Sequence, residues 1–313
     1  PTRSAVMTRL QHSHVRFGAF QRHAYFDDAD AVGRLIDYSL EHLVTGAGHG
    51  QSDKAAALLD AAARNSARLV AQWMAAGFVH GVLNTDNLVV TGESFDYGPW
   101  RFLPHFDPGF TAAYFDHAGL YAYARQPESV FWALQQLAGA LSLAGDRDAL
   151  IAVLSAYPDH YKREIRTAFL HRLGVAEQDE ETDGALVTEL LDFMKASEIP
   201  FEALFFDWFC GPASATRADA SPRAAFYARE DFKPVRAALE AREPVRPQRL
   251  AHPYFARTSP VHMTIERVEE TWAPIADADD WSAFHALTAD ILDAGAAYDL
   301  GRGRVGFLPD PDK

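Results

Sequence analysis

Residues 78–126 show no helical periodicity, whereas the chain on either side of them repeats apolar residues every three or four positions. Within this stretch, short β-prone runs alternate with turns. The repeating pattern predicts helices over residues 27–43, 54–76, 128–143, 147–156, 161–173, 185–196, 201–209 and 280–293. We therefore expect a mainly α protein with a small β component.

Several other segments are predicted to be non-helical. Val15–Phe20 is expected to extend a strand that begins within Ser4–Leu10, because both segments mix apolar and polar residues at strand-like spacing. The acidic run Glu177–Asp183 is expected to be a solvated loop. Residues 211–222 and 243–260 are expected to be loops because they are rich in Pro, Gly and Ser.

Composition narrows the class of protein. With 313 residues, 48% of them hydrophobic, the chain can bury a large core. Its 43 acidic and 29 basic residues give a net charge of −14, which repels nucleic-acid phosphates and anionic lipid. No apolar run approaches the roughly 18 residues of a membrane span. We therefore expect no nucleic acid and no membrane as partner. The one cysteine, Cys210, excludes an intramolecular disulfide and favours a reducing compartment, with cytoplasmic localisation as the default.

The residues that can carry chemistry are concentrated in the non-helical stretch. H-G-V-L-N-T-D-N at His80–Asn87 is followed by two β-prone runs and then by D-Y-G-P at Asp96–Pro99. The Thr91–Glu93 sequence predicts a tight hairpin turn, so Asn87 and Asp96 are expected at the two ends of one β-hairpin. One amide and one carboxylate oxygen suit Mg²⁺, which keeps water and phosphate oxygens as its other ligands.

This spacing matches a protein-kinase catalytic loop followed by a metal loop, H-R-D-x-x-x-x-N and D-F-G. His80 and Asn87 keep the seven-residue offset, and D-Y-G stands in the place of D-F-G. Val82 occupies the position of the catalytic aspartate, and valine cannot accept a proton. Ordinary hydroxyl phosphorylation is therefore not expected. Asp86, beside Asn87, supplies a carboxylate that can orient or deprotonate an attacking hydroxyl in another geometry.

A series of strings over roughly residues 5–140 resembles the selenoprotein O (SelO) family of pseudokinases, which act as protein adenylyltransferases. The strings are T-R-x-x-x-S-H-x-R-F-G at Thr8–Gly18, H-G-V-x-N-T-D-N at His80–Asn87, D-Y-G-P at Asp96–Pro99, G-x-Y-A-Y-x-x-Q-P at Gly119–Pro127 and W-x-L at Trp132–Leu134. The resemblance implies a fold equivalent to the large, C-terminal lobe of a protein-kinase-like fold.

The same resemblance implies roles for individual residues. ATP is the implied substrate, Mg²⁺ or Mn²⁺ the implied cofactor, and Ser, Thr or Tyr hydroxyls of partner proteins the implied acceptors of AMP. Asp86 is implied as the catalytic base, and Asn87 and Asp96 as the metal ligands. Arg9 and Arg16 are implied to bind the nucleotide phosphates. Guanidinium groups suit phosphate oxygens, and two of them can collect an anionic nucleotide despite the negative net charge.

The resemblance also divides the chain into three parts. Residues 1–26 are the expected remnant of a small lobe or hinge, residues 27–210 the kinase-like helical lobe, and residues 211–313 a C-terminal helical extension. The family's small lobe carries a glycine-containing nucleotide loop and a Lys–Glu ion pair. That lobe is expected ahead of Ser4, so we expect this chain to lack it.

Alternatives remain open at this point. Asp and Asn commonly form turns, so each site residue has an ordinary structural explanation, and His80 is expected to bond loop backbone rather than to move protons. Three other functions are transfer of UMP from UTP, an inactive nucleotide-binding pseudokinase, and a small-molecule kinase of the aminoglycoside type. Nothing visible in the sequence reads the base, the missing small lobe favours the inactive pseudokinase, and Val82 argues against the small-molecule kinase.

Overall fold

The computed structural model describes Val6, Thr8, residues 10–44 and residues 53–299. Arg9, one of the two predicted phosphate-binding arginines, lies outside the described residues, as does most of the predicted strand Ser4–Leu10.

Helices dominate the part of the chain that the structure describes, so the prediction of a mainly α protein is confirmed. The α-helices are α1 (Phe17–Tyr25), α2 (Ala29–His42), α3 (Lys54–Ala75), α4 (Gln126–Leu141), α5 (Arg147–Leu173), α6 (Glu180–Ser197), α7 (Phe201–Asp207), α8 (Ala215–Asp219), α9 (Ala224–Tyr227), α10 (Lys233–Glu240), α11 (Ile265–Ala278) and α12 (Ser282–Tyr298). Short 3₁₀ turns cover Tyr123–Arg125, Gly211–Ser214, Glu230–Phe232, Pro247–Ala251 and Pro253–Ala256. Strands β1 (Phe78–Val79) and β2 (Arg101–Phe102) pair in a two-stranded sheet.

The predicted strand at Val15–Phe20 is wrong from Phe17 onward. Val15 and Arg16 do pair with the backbone of residues 89 and 90, but α1 begins at the next residue. The first amides of a helix have no partner within the helix. Here the amide of Phe17 donates to the Leu88 carbonyl (2.9 Å) and that of Gly18 to the Thr85 carbonyl (3.0 Å). Distant loop carbonyls therefore satisfy the start of α1, which no local pattern reveals.

Two further differences between the predicted and observed elements involve a proline inside a helix and a buried carboxylate. The helices predicted over 147–156 and 161–173 are one continuous helix, α5, with Pro158 inside it. The acidic run predicted to be a solvated loop is an exposed loop only over residues 177–179, because α6 begins at Glu180. Asp179 accepts a hydrogen bond from the amide of Thr182 (2.9 Å) and caps the helix, and Asp183 is buried. Helix α11 was not predicted.

The chain forms two compact units. Of the described residues, unit 1 contains those up to Met74, Val79–Trp100 and Pro108–Ile165, and unit 2 contains Ala75–Phe78, Arg101–Asp107 and those from Arg166 onward. These units follow from contacts within the chain, and the division at residues 26 and 210 stays a prediction. Of the helices described, none combines the length and the apolar character needed to cross a lipid bilayer.

Unit 1 is built around α3, whose alanines and leucines are buried along most of its length, as the Ala-rich sequence predicts. Helix α1 packs against α4 and α2 in the same unit. The N-terminus of α2 is fixed by Asp28, whose Oδ1 accepts a hydrogen bond from the amide of Ala31 (2.9 Å). These helices form the support on which residues 80–99 lie.

Unit 2 has a separate aromatic core. Its central cluster consists of Phe206, Phe209, Cys210, Tyr254, Phe255, Ala297 and Tyr298. Beside it, the buried Asp207 carboxylate accepts two hydrogen bonds from Arg223 (2.6 and 2.8 Å) and one from Tyr227 (2.6 Å). A buried charge is tolerated only when its oxygens are paired in this way.

Candidate functional site

A tight hairpin, residues 87–96, brings two of the predicted site residues to neighbouring positions; we refer to it as the site hairpin. Leu88 and Ser94 form an antiparallel bridge, and the amide of Phe95 donates to the Asn87 carbonyl (2.9 Å). Gly92 adopts a positive φ of 79° in the turn, where a side chain would be strained. The turn predicted at Thr91–Glu93 is therefore confirmed, and Asp96 follows directly after the residue paired with Asn87.

Asn87 is oriented by one of its amide hydrogens. Its Nδ2 donates to the Val82 carbonyl (2.9 Å), so its Oδ1 is the acceptor atom that remains for a ligand. The Asn87 side chain is half-buried and that of Asp96 is exposed. Both residues offer oxygen donors, the kind that Mg²⁺ and Mn²⁺ prefer.

The donor set fits a cation that keeps most of its ligands from nucleotide and water. Among the residues that the structure describes, no three or more His, Cys, Asp or Glu side chains are grouped so that they could hold a metal ion. The described residues therefore do not supply a metal site made of three or more such side chains. One amide oxygen and one carboxylate are the kind of partial site at which Mg²⁺ binds together with substrate phosphates.

Asp86 lies against the start of α1. Its amide donates to Asn84 Oδ1 (3.0 Å), which closes a local turn, and its carboxylate covers Gly18. A methyl group built on Gly18 would overlap Asp86 Oδ1 and lie 3.1 Å from Asp86 Cγ. The missing side chain at Gly18 is thus what leaves room for the Asp86 carboxylate, which is exposed.

His80 is fully buried and works through backbone and hydroxyl contacts. The amide of Val82 donates to His80 Nδ1 (3.2 Å), which leaves Nε2 to carry the ring hydrogen and donate to Ser94 Oγ (2.7 Å). The Ser94 hydroxyl in turn donates to the Asp96 carbonyl (2.9 Å). Burial lowers the pKa of His80 to about 4, although interactions with Asp96 oppose that shift. The neutral ring therefore connects the second strand of the site hairpin, at Ser94, to the loop that precedes the hairpin.

Arg16 lies in the segment before α1, which pairs with the site hairpin through an antiparallel bridge between Arg16 and Val89. Its guanidinium is centred 4.6 Å from the middle of the Phe95 ring, one residue before Asp96. A guanidinium that contacts an aromatic face can still donate hydrogen bonds to phosphate oxygens. The structure therefore brings Asp86, Asn87, Asp96 and Arg16 into one region of unit 1, while Arg9 is outside the described chain.

Three supporting residues were not predicted as site residues. Gly18 accommodates Asp86, Ser94 links His80 to Asp96, and Gln126 Oε1 accepts a hydrogen bond from the His80 amide (2.9 Å). Gly18 and Gln126 stand in the R-F-G and Q-P strings of the sequence, which were the available signal. Ser94 had no comparable signal.

Comparison with known proteins agrees with the strings in the sequence. A family model described as "Protein adenylyltransferase SelO" matches residues 1–292. Protein nucleotidyltransferase YdiU of Trichormus variabilis is 35% identical, over 94% of this chain and 63% of its own length. The proteins of the same name from Synechococcus elongatus and Trichodesmium erythraeum are 36% and 32% identical, over 92% and 94% of this chain.

These relatives are longer proteins. The chain spans 61–64% of their length. Since the family match runs over residues 1–292, it includes the site hairpin, Asp86 and Arg16 as well as most of unit 2. This chain belongs to the SelO family.

Proposed function

We propose that this chain carries the kinase-like large lobe of a protein adenylyltransferase. The reaction is transfer of AMP from ATP to a Ser, Thr or Tyr hydroxyl of a protein, with release of pyrophosphate and with Mg²⁺ or Mn²⁺ as cofactor. The observation that best supports it is the register of the site hairpin, in which the Phe95 amide bonds the Asn87 carbonyl and so brings Asp96 beside Asn87. Asp86 adjoins the same pair, and Arg16 contacts Phe95.

Each site residue has a role in the transfer reaction that follows from the chemistry of its side chain. Asp86, an exposed carboxylate, takes the proton of the incoming hydroxyl. The hydroxyl oxygen forms a bond to the α-phosphorus, and the bond between that phosphorus and the bridging oxygen breaks, so that pyrophosphate leaves. Arg16 holds phosphate oxygens and stabilises the charge on them. Asn87 Oδ1 and the Asp96 carboxylate would hold the divalent cation, which neutralises phosphate charge when bound.

Transfer of UMP from UTP is the nearest alternative. The roles given to Asp86, Asn87, Asp96 and Arg16 concern phosphates, metal and hydroxyl, and none of them involves the base. The relatives' name, protein nucleotidyltransferase, covers both reactions. Labelled ATP and labelled UTP, offered in parallel to the same acceptor protein, distinguish them. We expect incorporation from ATP.

A phosphorylating enzyme is disfavoured by one residue. Val82 stands at the catalytic-aspartate position and donates only its backbone amide, to His80 Nδ1. An inactive nucleotide-binding pseudokinase is the remaining alternative, and it predicts nucleotide binding without transfer. Protein acceptors remain part of our proposal because of the likeness to the family, and a reducing cytoplasm remains part of it because the chain has a single cysteine.

The test uses the full-length protein encoded by the gene, with label from the α-phosphate of ATP. Asp96→Ala should abolish metal-dependent nucleotide binding, whereas Asp86→Ala should lower kcat at least a hundredfold with little change in nucleotide affinity. Asp148→Ala, which removes an exposed carboxylate from the first turn of α5, is the matched control and should transfer normally. Unchanged transfer in both site variants would refute the assignment.

Gly18 provides a second, positional test. Gly18→Ala adds a methyl group that must displace the Asp86 carboxylate, so transfer should fall while the fold persists, because that carboxylate can rotate away. In an Asp86→Ala background the same substitution should cost nothing further. Gly33→Ala in α2 is the control, since a Cβ there meets nothing within 4 Å. It should leave transfer unchanged.

A further inference from the structure

Helix α12 presents four large apolar side chains to solvent. Trp281, which precedes its first residue, and Phe284, Ile291 and Leu292 are each between 42% and 61% exposed. Because an α-helix completes a turn in about 3.6 residues, these positions fall on one side of α12. The Trp281 and Phe284 rings meet edge to face, with centroids 5.6 Å apart. We call these four side chains the α12 stripe, which is roughly 16 Å long at about 1.5 Å per residue.

Other residues of α12 attach the helix to unit 2. Leu287, Ala297 and Tyr298 are buried, and the last two belong to the aromatic core cluster. The helix also packs against α11 and against the turn Pro253–Ala256. The core contacts of α12 are therefore made by side chains outside the stripe. Exposed apolar residues that share one surface in this way are typical of a protein interaction site.

The segment that contains the stripe carries most of the negative charge of the chain. Residues 265–299 include nine Asp or Glu residues, one Arg and no Lys, which gives −8 of the total of −14. Two of the nine, Asp290 and Asp299, form ion pairs with Arg257 and Arg249 (2.6 Å each). Six others are exposed and lie on α11 or in the turn after it, namely Glu266, Glu269, Glu270, Asp277, Asp279 and Asp280.

These carboxylates adjoin the exposed aromatic side chains. The Trp281 indole Nε1 donates to Asp279 Oδ1 (3.1 Å), so a carboxylate lies beside the first residue of the α12 stripe. On α11, which packs against α12, Trp272 is also exposed and Glu269 lies one helical turn before it. A partner that covers this surface must therefore offer apolar side chains to the stripe and positive charge beside them.

We propose that the α12 stripe binds a cationic amphipathic helix of a partner protein. Apolar residues of that helix lie along the stripe, and its Lys or Arg side chains face the carboxylates of α11 and of the turn after it. Apolar anchors at helical spacing are a common mode of peptide recognition, and complementary charge selects the partner.

Two other occupants are disfavoured by the same charges. A second copy of this chain would bring two strongly acidic segments face to face, and an anionic bilayer would repel the surface. The proposal does not depend on the adenylyltransferase assignment.

The probe is a fluorescent 14-residue peptide of leucine and lysine, with its leucines spaced to form one face of a helix. A matched peptide has glutamate at every lysine position, and a scrambled peptide has the same leucines and lysines without a common face. Fluorescence anisotropy measures binding to the full-length protein at 0.15 M salt. We expect the leucine–lysine peptide to bind saturably at one site, and at least tenfold more tightly than either of the other two.

Substitutions locate the binding surface. Leu292→Arg places a positive charge in the stripe at an exposed position, so it should weaken binding of the leucine–lysine peptide at least tenfold without lowering the melting temperature. Ile151→Arg adds the same charge at an exposed apolar position of α5 in unit 1 and should leave affinity within twofold. Glu269→Gln should weaken binding about threefold, whereas Glu189→Gln, at an exposed position of α6, should not.

Three results would overturn the proposal. The first is absence of saturable binding of the leucine–lysine peptide. The second is equal weakening by Leu292→Arg and Ile151→Arg, which would mean that only the overall charge attracts the peptide. The third is self-association of the full-length protein, measured by sedimentation, that Leu292→Arg abolishes, because a second copy would then be the occupant. If Leu292→Arg failed to fold, equal affinity of Glu269→Gln and Glu189→Gln would exclude this surface.

Discussion

His80 must stay neutral for its hydrogen bonds to persist. Its Nδ1 accepts from the Val82 amide, so a proton added there would place two donors face to face. The folded pKa, about 4, lies below the ordinary value of 6.5. The unfolded chain therefore binds more protons between those two values, and the free energy of unfolding falls as pH falls through that window.

We expect His80 to account for about 2 kcal/mol of the loss in unfolding free energy between pH 7 and pH 5. Urea denaturation at the two pH values measures it. His80→Gln cannot titrate and should reduce the pH dependence by that amount. Equal pH dependence in wild type and His80→Gln would show that the ring is protonated in the folded state near pH 5.

At the scale of residues, the sequence could predict that the site side chains lie together in one loop and hairpin, but not which residues support them; their chemical roles stay a prediction. The seven-residue offset from His80 to Asn87 identified Asp86, Asn87 and Asp96 as one group, because the offset lies within a single local loop and hairpin. Gly18 escaped notice since its partner, Asp86, is 68 residues away along the chain, and local patterns carry no information about such contacts.

At the scale of elements, helices with a strong apolar repeat were predictable within a few residues, and those that depend on tertiary partners were not. Helices α2 and α3 nearly match their predicted bounds. Helix α6 begins inside an acidic run because one carboxylate of that run is buried. Asp183 pairs with Arg242 at 2.6 Å, with side chains 7% and 1% exposed.

Removing the Asp183 side chain should leave the buried Arg242 guanidinium without its carboxylate partner. We expect Asp183→Ala to lower the free energy of unfolding by about 3 kcal/mol, although carbonyls of Ala176 and Thr182 still accept from Arg242. Glu181→Ala, an exposed position in the same helical turn, should cost far less. Asp183→Leu combined with Arg242→Met should recover most of the loss, since both charges are then absent. Chemical denaturation checks all three, and additive losses in the double variant would contradict the pairing.

At the scale of the whole molecule, the net charge of −14 on this chain would decide which acceptors approach fastest in the proposed reaction. A protein with a net charge attracts partners of the opposite charge. Salt weakens this attraction beyond a screening length of about 10 Å at 0.1 M ionic strength. The effect acts on association rather than on the chemical step, so it belongs in kcat/KM and not in kcat.

Two acceptor peptides that share one central serine and differ only in flanking Lys or Glu residues isolate this effect in the full-length protein. At 20 mM salt we expect kcat/KM for the Lys-flanked peptide to exceed that for the Glu-flanked peptide by about tenfold or more. Raising the salt to 0.5 M should bring the two values within about twofold, with kcat nearly unchanged for both. A preference that survives high salt would mean that contacts with particular flanking residues select the acceptor, and that the overall field does not.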